Sequence, residues 1–300
     1  MLNPIVVPLD GSELAERALA PARALAQYSQ AELLLVRAAS RPLFVTADVG
    51  YGVLYPEPSR VEARQAAEQY LAGLKAAYAG DARTLPVEAG EGDVAGAIVD
   101  AARQAQARMI ILSSHGYSGV KRWLLGSVAE KVLNAAPCPV WVVRAPMPMR
   151  HMLITLDGSR LAEEVLLPAR AVARCLGAQV TLLRVVPEMS GAAVEALNDC
   201  ERGLGRRFAD ETLEEAAAYL TQVADRCRAD DWEPHTAVRS GPAADTILEY
   251  AERNAVDLVA MTTHGRTGLR RWIYGSVTHK VLDQLPVSML VARSAEASLG

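Results

Sequence analysis

The sequence predicts two tandem α/β domains, each a parallel sheet covered by helices on both faces. Three observations carry this. The chain repeats itself, each repeat alternates strand-like and helix-like segments, and the strand-like segments are short unbroken apolar runs. Runs of that kind suit strands buried on both faces.

Asp10-Gly11-Ser12 recurs as Asp157-Gly158-Ser159, an offset of 157 − 10 = 147. At that offset residues 5–39 and 152–186 agree at 16 of 35 positions. Self-similarity at a fixed period marks a duplicated unit. Motifs further on match at 264 − 115 = 149, so the halves differ by a net insertion of two residues. Ala145-Pro146-Met147-Pro148-Met149-Arg150 reads as a short stiff linker, because alternating prolines cannot continue a central strand. The expected domains are residues 1–146 and 147–300.

In the first half, Ile5-Val6-Val7-Pro8-Leu9 is strand one, with Pro8 placed where no ladder bond is needed. One helix follows from Ser12, its N-cap, to about Tyr28. Leu33 to Val36 is strand two, and a long helix covers residues 59–79. Strand three lies at residues 85–88, a helix at 94–105, and strand four at 109–112. A helix from Ser127 and strand five at 140–143 complete the unit. The second half repeats the order at 152–156, 159–175, 180–186, 208–228, 235–239, 243–253, 258–262, 275–284 and 287–292. After strand two the halves diverge. Residues 40–58 read as an apolar loop, and residues 187–207 as Gly-, Glu- and Arg-rich and partly helical.

The composition narrows the function. The chain has 300 residues, is 51% hydrophobic, and carries a formal net charge of −4. A mildly acidic chain lacks the footprint of a general nucleic-acid binder. No apolar run reaches the length of a membrane span, and no signal peptide is evident after Met1. Cys138, Cys175, Cys200 and Cys227 share no metal-type spacing and read as thiols of a reducing compartment. A cytoplasmic protein is expected, with no membrane or nucleic-acid partner and no metal site of its own.

Ser113-Ser114-His115-Gly116 follows strand four, nine residues intervene, and Gly126-Ser127 opens a helix. The second half has Thr262-Thr263-His264-Gly265, again nine residues, then Gly275-Ser276. Glycine at a strand-to-helix crossing lets backbone approach phosphate oxygens, and the helix dipole favours an anion. Ser127 and Ser276 add hydroxyl donors. Asp10 and Asp157 end strand one, where a carboxylate either caps the turn or accepts from a ribose hydroxyl or adenine amine. In an open parallel sheet a ligand sits beyond the carboxyl ends of the strands, where their order reverses. If strands one and four flank that point, aspartate and loop face one cleft. His115 and His264 read as residues closing the loop, ahead of ligand contact; no nucleophile or acid recurs beside them. Lys121-Arg122 and Arg270-Arg271 are solvated loop charges or salt-sensitive phosphate contacts, and Trp123 and Trp272 read as packing or interface residues ahead of base stacking. The standard P-loop and the dinucleotide fingerprint are absent, which disfavours a conventional NTPase or dehydrogenase.

Val7-Pro8-Leu9-Asp10-Gly11-Ser12, the S-H-G loop, Leu125-Gly126-Ser127-Val128 and Pro137-Cys138-Pro139-Val140 together resemble the universal stress protein family, and the second half shows the same order. The resemblance implies two five-stranded, doubly wound domains of strand order 3-2-1-4-5, related by a pseudo-two-fold axis. It implies ATP, with or without Mg²⁺, as the ligand, since the loops keep the second and third glycines of the pattern G-x2-G-x9-G-[ST] found in the ATP-binding members. The first glycine of that pattern is Ser113 in one half and Thr262 in the other. By resemblance Asp10 and Asp157 contact the adenosine, and Ala38 and Val185 offer backbone to adenine. Gly116, Gly126, Ser127 and Val128, with Gly265, Gly275, Ser276 and Val277, hold ribose and phosphates. Pro8, Thr155, Ser113, Thr262, His115 and His264 complete the candidate set. The resemblance further implies pairing of the two fifth strands within one chain; association into a homodimer is left open. The leading expectation is a stress-response protein that binds ATP as a signal without strong catalysis. A non-binding interaction module and a slow ATPase are the alternatives.

Overall fold

Short runs of Val, Ile and Leu become strands where both faces can be covered. The computed structural model describes residues 2–39, 60–78, 82–88, 93–114, 125–144, 147–263 and 275–292. The chain divides into two units, Met1–Val143 and Arg144–Gly300.

The first unit runs β1 (Ile5–Leu9), α1 (Glu13–Glu16), α2 (Leu19–Ser29), β2 (Leu33–Ala39), α3 (Arg60–Tyr78), β3 (Arg83–Glu88), α4 (Val94–Gln104), β4 (Met109–Ser113), α5 (Ser127–Ala135) and β5 (Val140–Val143). Its strands lie in the order β3-β2-β1-β4-β5, all parallel. The second unit runs β6 (His151–Thr155), α6 (Arg160–Glu163), α7 (Leu166–Leu176), β7 (Gln179–Val186), α8 (Gly191–Cys200), α9 (Leu204–Ala229), β8 (His235–Ser240), α10 (Ala243–Arg253), β9 (Leu258–Thr262), α11 (Ser276–Gln284) and β10 (Ser288–Ala292). Its order is β8-β7-β6-β9-β10, again parallel. Each half is thus the expected α/β sheet of order 3-2-1-4-5.

The central strands are the core: every residue of β1 and of β9 is buried. Helices cover them with one apolar stripe each. In α4 the buried set includes Ala95, Ile98, Val99 and Ala102, the spacing of a single helical face.

The structure corrects one element in both halves. The helix expected from Ser12 to Tyr28 is two helices, α1 and α2, and its counterpart is likewise α6 and α7. The reason is Pro21 and Pro168. A proline ring inside a helix excludes the carbonyl four residues earlier and offers no N–H to it. Those earlier residues are Arg17 and Glu164, where the two breaks fall. Pro86 lies in β3, at the end of its sheet's order, where a missing donor is tolerated. In the segment 187–207 the helical parts are α8 and the start of α9; α8 is capped by Ser190, whose Oγ accepts from Ala193 N at 3.2 Å.

Candidate functional site

The site begins where the central strands part. The β1–β4 ladder pairs Ile5 with Met109 and Val6 with Ile110 and extends no further. Ile5 N donates to the Glu32 carbonyl at 2.9 Å, on the β2 side. Strand alternation therefore aims the nitrogen of Pro8 at the β4 side, past the end of that ladder. The missing N–H of Pro8 leaves no gap in the sheet. In the second half the β6–β9 ladder stops at Ile154 and Ala260, one residue before Thr155. A crevice opens at the carboxyl ends, where the order reverses.

The aspartate turns form the floor. Asp10 Oδ1 accepts from Ser12 N at 2.9 Å and from Ser12 Oγ at 2.6 Å. Asp157 Oδ1 accepts from Ser159 N at 2.9 Å. Ser12 and Ser159 then cap α1 and α6, accepting from Ala15 N and Ala162 N at 3.1 Å. One carboxylate oxygen of each aspartate is therefore committed to its turn, as a turn role requires.

The opposite wall is a helix N-terminus. Gly126 and Gly275 are the N-caps of α5 and α11, and neither supplies a side-chain cap. The first-turn N–H groups of such a helix have no intrahelical acceptor and attract anions. Gly126 N donates to the Ser114 carbonyl, and Gly275 N to the Thr263 carbonyl, each at 2.8 Å. These bonds fasten the two ends of each motif loop together. His115, Gly116, His264 and Gly265, the loop charges, both loop tryptophans and the segment 40–58 lie outside the described residues.

In the second half a cleft of about 270 Å³ lies between these walls. Thr155, Asp157, Val185, Thr262, Gly275, Ser276 and Val277 all line it. Leu156, Ala162, Leu183, Ala243, Ile247, Met261 and Thr278 complete the lining, most of it apolar. Every second-half candidate within the described residues is thus brought to one place. In the first half the counterparts occupy the equivalent points of their elements. Pro8 is in β1, Asp10 just after it, Ala38 in β2, Ser113 at the end of β4, Gly126 at the cap, and Ser127 and Val128 in the first turn of α5. Val128 is 39% exposed, an apolar side chain turned away from the core.

A model of the universal stress protein family matches residues 1–144 and again residues 148–293. The chain belongs to that family. A universal stress protein of Mycobacterium tuberculosis is 27% identical over 311 aligned residues, covering 96% of this chain and 94% of the relative. One of Bacillus subtilis is 30% identical over 148 residues, covering 48% of this chain and the whole of the relative. The crystal structure of a universal stress protein from Archaeoglobus fulgidus superposes with a TM-score of 0.66 at 21% identity, covering 98% of this chain and 99% of that one. The last likeness concerns the fold.

This universal stress protein also carries a cluster that the sequence reading missed. The Arg37 guanidinium lies over the Tyr70 ring, 4.4 Å from its centroid, and the Tyr70 hydroxyl donates to Glu16 Oε1 at 2.8 Å. Arg184 lies 4.9 Å over Tyr219, whose hydroxyl donates to Glu163 Oε1 at 3.0 Å. Burial and the adjoining glutamate push both phenols well above their ordinary value, with the arginines opposing. The detectable signal was the repeat itself. Arg37 and Arg184 match at an offset of 184 − 37 = 147, Tyr70 and Tyr219 at 219 − 70 = 149. The net insertion therefore falls between these pairs, the interval that holds α8 in the second half.

Among the described residues no helix is long and apolar enough to cross a membrane. No cluster of three or more His, Cys, Asp or Glu among them is placed to hold a metal ion.

Proposed function

We propose that this universal stress protein binds an adenine nucleotide, ATP, in the crevice of each half, as a bound signal rather than as the substrate of a strong catalyst. The observation that carries the reading is the second-half cleft, where seven residues singled out from the sequence meet around an uncapped helix N-terminus. The donor set fits the ligand. Leu183, Val185, Ile247 and Met261 give an apolar seat for a base. Asp157 offers a carboxylate to the adenosine, and the α11 N–H groups with Ser276 offer donors to phosphate. Mg²⁺ would arrive with the phosphates, as it commonly does, rather than on a protein cage.

The proposal places the protein in the cytoplasm. It also pairs the fifth strands within one chain, because each half's sheet, taken alone, ends on an apolar strand, Val140–Val143 or Ser288–Ala292. Such an edge needs cover.

Thermal unfolding with and without Mg-ATP tests the binding. At about a thousandfold excess of ligand over Kd, binding stabilises by about 4 kcal/mol. A clear rise in Tm is expected; an unchanged Tm overturns the reading. Gly275→Ala locates it. A Cβ there meets the Thr263 carbonyl at 3.4 Å, ordinary contact, and the backbone φ of −55° accepts alanine. The variant folds, and its ATP-dependent rise in Tm shrinks.

A further inference from the structure

Two arginines stand behind the aspartate turns, and the proposed ligand contacts do not use them. Gly11 and Gly158 have φ of +92° and +88°. A Cβ at either position would lie 3.1 Å from the guanidinium Nη2 of Arg37 or Arg184. The guanidinium therefore occupies the space over the turn that only a glycine leaves open. Behind it lies the Tyr70 or Tyr219 ring, held through its hydroxyl by Glu16 or Glu163. Those glutamates end α1 and α6, the short helices that Ser12 and Ser159 cap. The contacts close a ring: aspartate turn, short helix, glutamate, tyrosine, arginine, and back to the glycine of the turn. Both halves keep every member.

Strand alternation fixes which side the arginine works from. Leu183 and Val185 line the second-half cleft, so Arg184 between them points to the other face of β7. It touches the turn from behind and leaves the cleft to the ligand. A guanidinium suits this place because it is planar, stacks on an aromatic face, and stays charged.

We infer that Arg37 and Arg184 are positioning residues that hold the Asp10 and Asp157 turns in register for the adenosine end of each crevice. The inference rests on the nucleotide reading for its ligand, though not for the turn itself.

The test uses the full chain with both halves changed alike, R37M/R184M beside R37K/R184K. Mg-ATP and inorganic triphosphate are titrated separately, and amide exchange is followed at Ser12 and Ser159, whose N–H groups donate to the aspartates. In the methionine pair the Kd for ATP is expected to rise about tenfold, about 1.4 kcal/mol, with that for triphosphate unchanged. The lysine pair should fall between, and exchange at Ser12 and Ser159 should speed while the β1 and β6 amides stay protected. The lysine pair carries the same readouts if the methionine pair does not fold. An unchanged Kd for ATP in a methionine pair whose parent binds ATP overturns the inference. Equal weakening of both ligands with loss of β1 and β6 protection also overturns it, since that marks general loosening. If the parent binds neither ligand, the nucleotide reading fails, and exchange at the two serines still decides whether the arginines set the turns.

Discussion

Thr278 ties α11 to β9: its Oγ1 donates to the Thr262 carbonyl at 2.9 Å, inside the core. The repeat has Ala129 at the equivalent place, so the second half alone gains this bond from a side chain in the first turn of the helix. Thr278→Val keeps the shape and deletes the donor. A buried hydrogen bond contributes about 1 kcal/mol, so the second unit should melt about 2–4 °C lower, read by calorimetry.

Gly158→Ala should destabilise by more than Gly177→Ala. Both glycines have positive φ, +88° and +61°, so both substitutions meet left-handed strain of about 1–2 kcal/mol. Only at Gly158 does the new methyl also press on the Arg184 guanidinium, at 3.1 Å; at Gly177 nothing lies within 4 Å. Urea unfolding of the two variants gives the difference, and equal losses would remove Arg184 from the account.

The tandem repeat and the alternation of strands and helices were legible because each rests on a short-range signal, whereas the sheet order and the place of Val185 came through the family resemblance. Apolar runs mark strands, and a duplicated Gly-Ser at a helix start marks a phosphate-like turn. The Arg–Tyr–Glu ring was not legible, since its members come from β2, α3 and α1, and a lone arginine after an apolar run reads as a solvated strand end. Pro21 and Pro168 were visible, but the matched apolar spacing on either side masked the breaks they impose. Helix α8 was legible only as a partly helical segment: it has no buried residue, so no apolar stripe marked its bounds.

Alkaline titration should show Tyr70 and Tyr219 ionising late. Burial comes first in holding each phenol above the ordinary value of 10.0, and Glu16 or Glu163 adds to it. The fold thus favours the protonated phenol. That contribution to stability is fully present below the unfolded value and is lost as pH rises through the folded one. Tyrosinate absorbance should show a late fraction that Y70F/Y219F abolishes, and the fall in urea midpoint above about pH 10 should flatten in that variant.

The thiols should react in order of exposure. Cys200 is exposed, Cys175 intermediate, Cys138 and Cys227 buried. Burial pushes the Cys138 thiol up to about 12 and Cys175 to about 11, and raises Cys227 as well. Since the thiolate is the nucleophile, a disulfide reagent near neutral pH should modify Cys200 first. All four should react at one rate in denaturant, and rapid labelling of Cys138 in the native protein would contradict its burial.

The early end of the β1–β4 and β6–β9 ladders has a consequence for how the two halves can diverge. Positions beyond those ladders take no part in joining the two strands, so Pro8 can stand where Thr155 stands with the sheet order unchanged. Duplication therefore left each half free to change at this position without rebuilding its strand order.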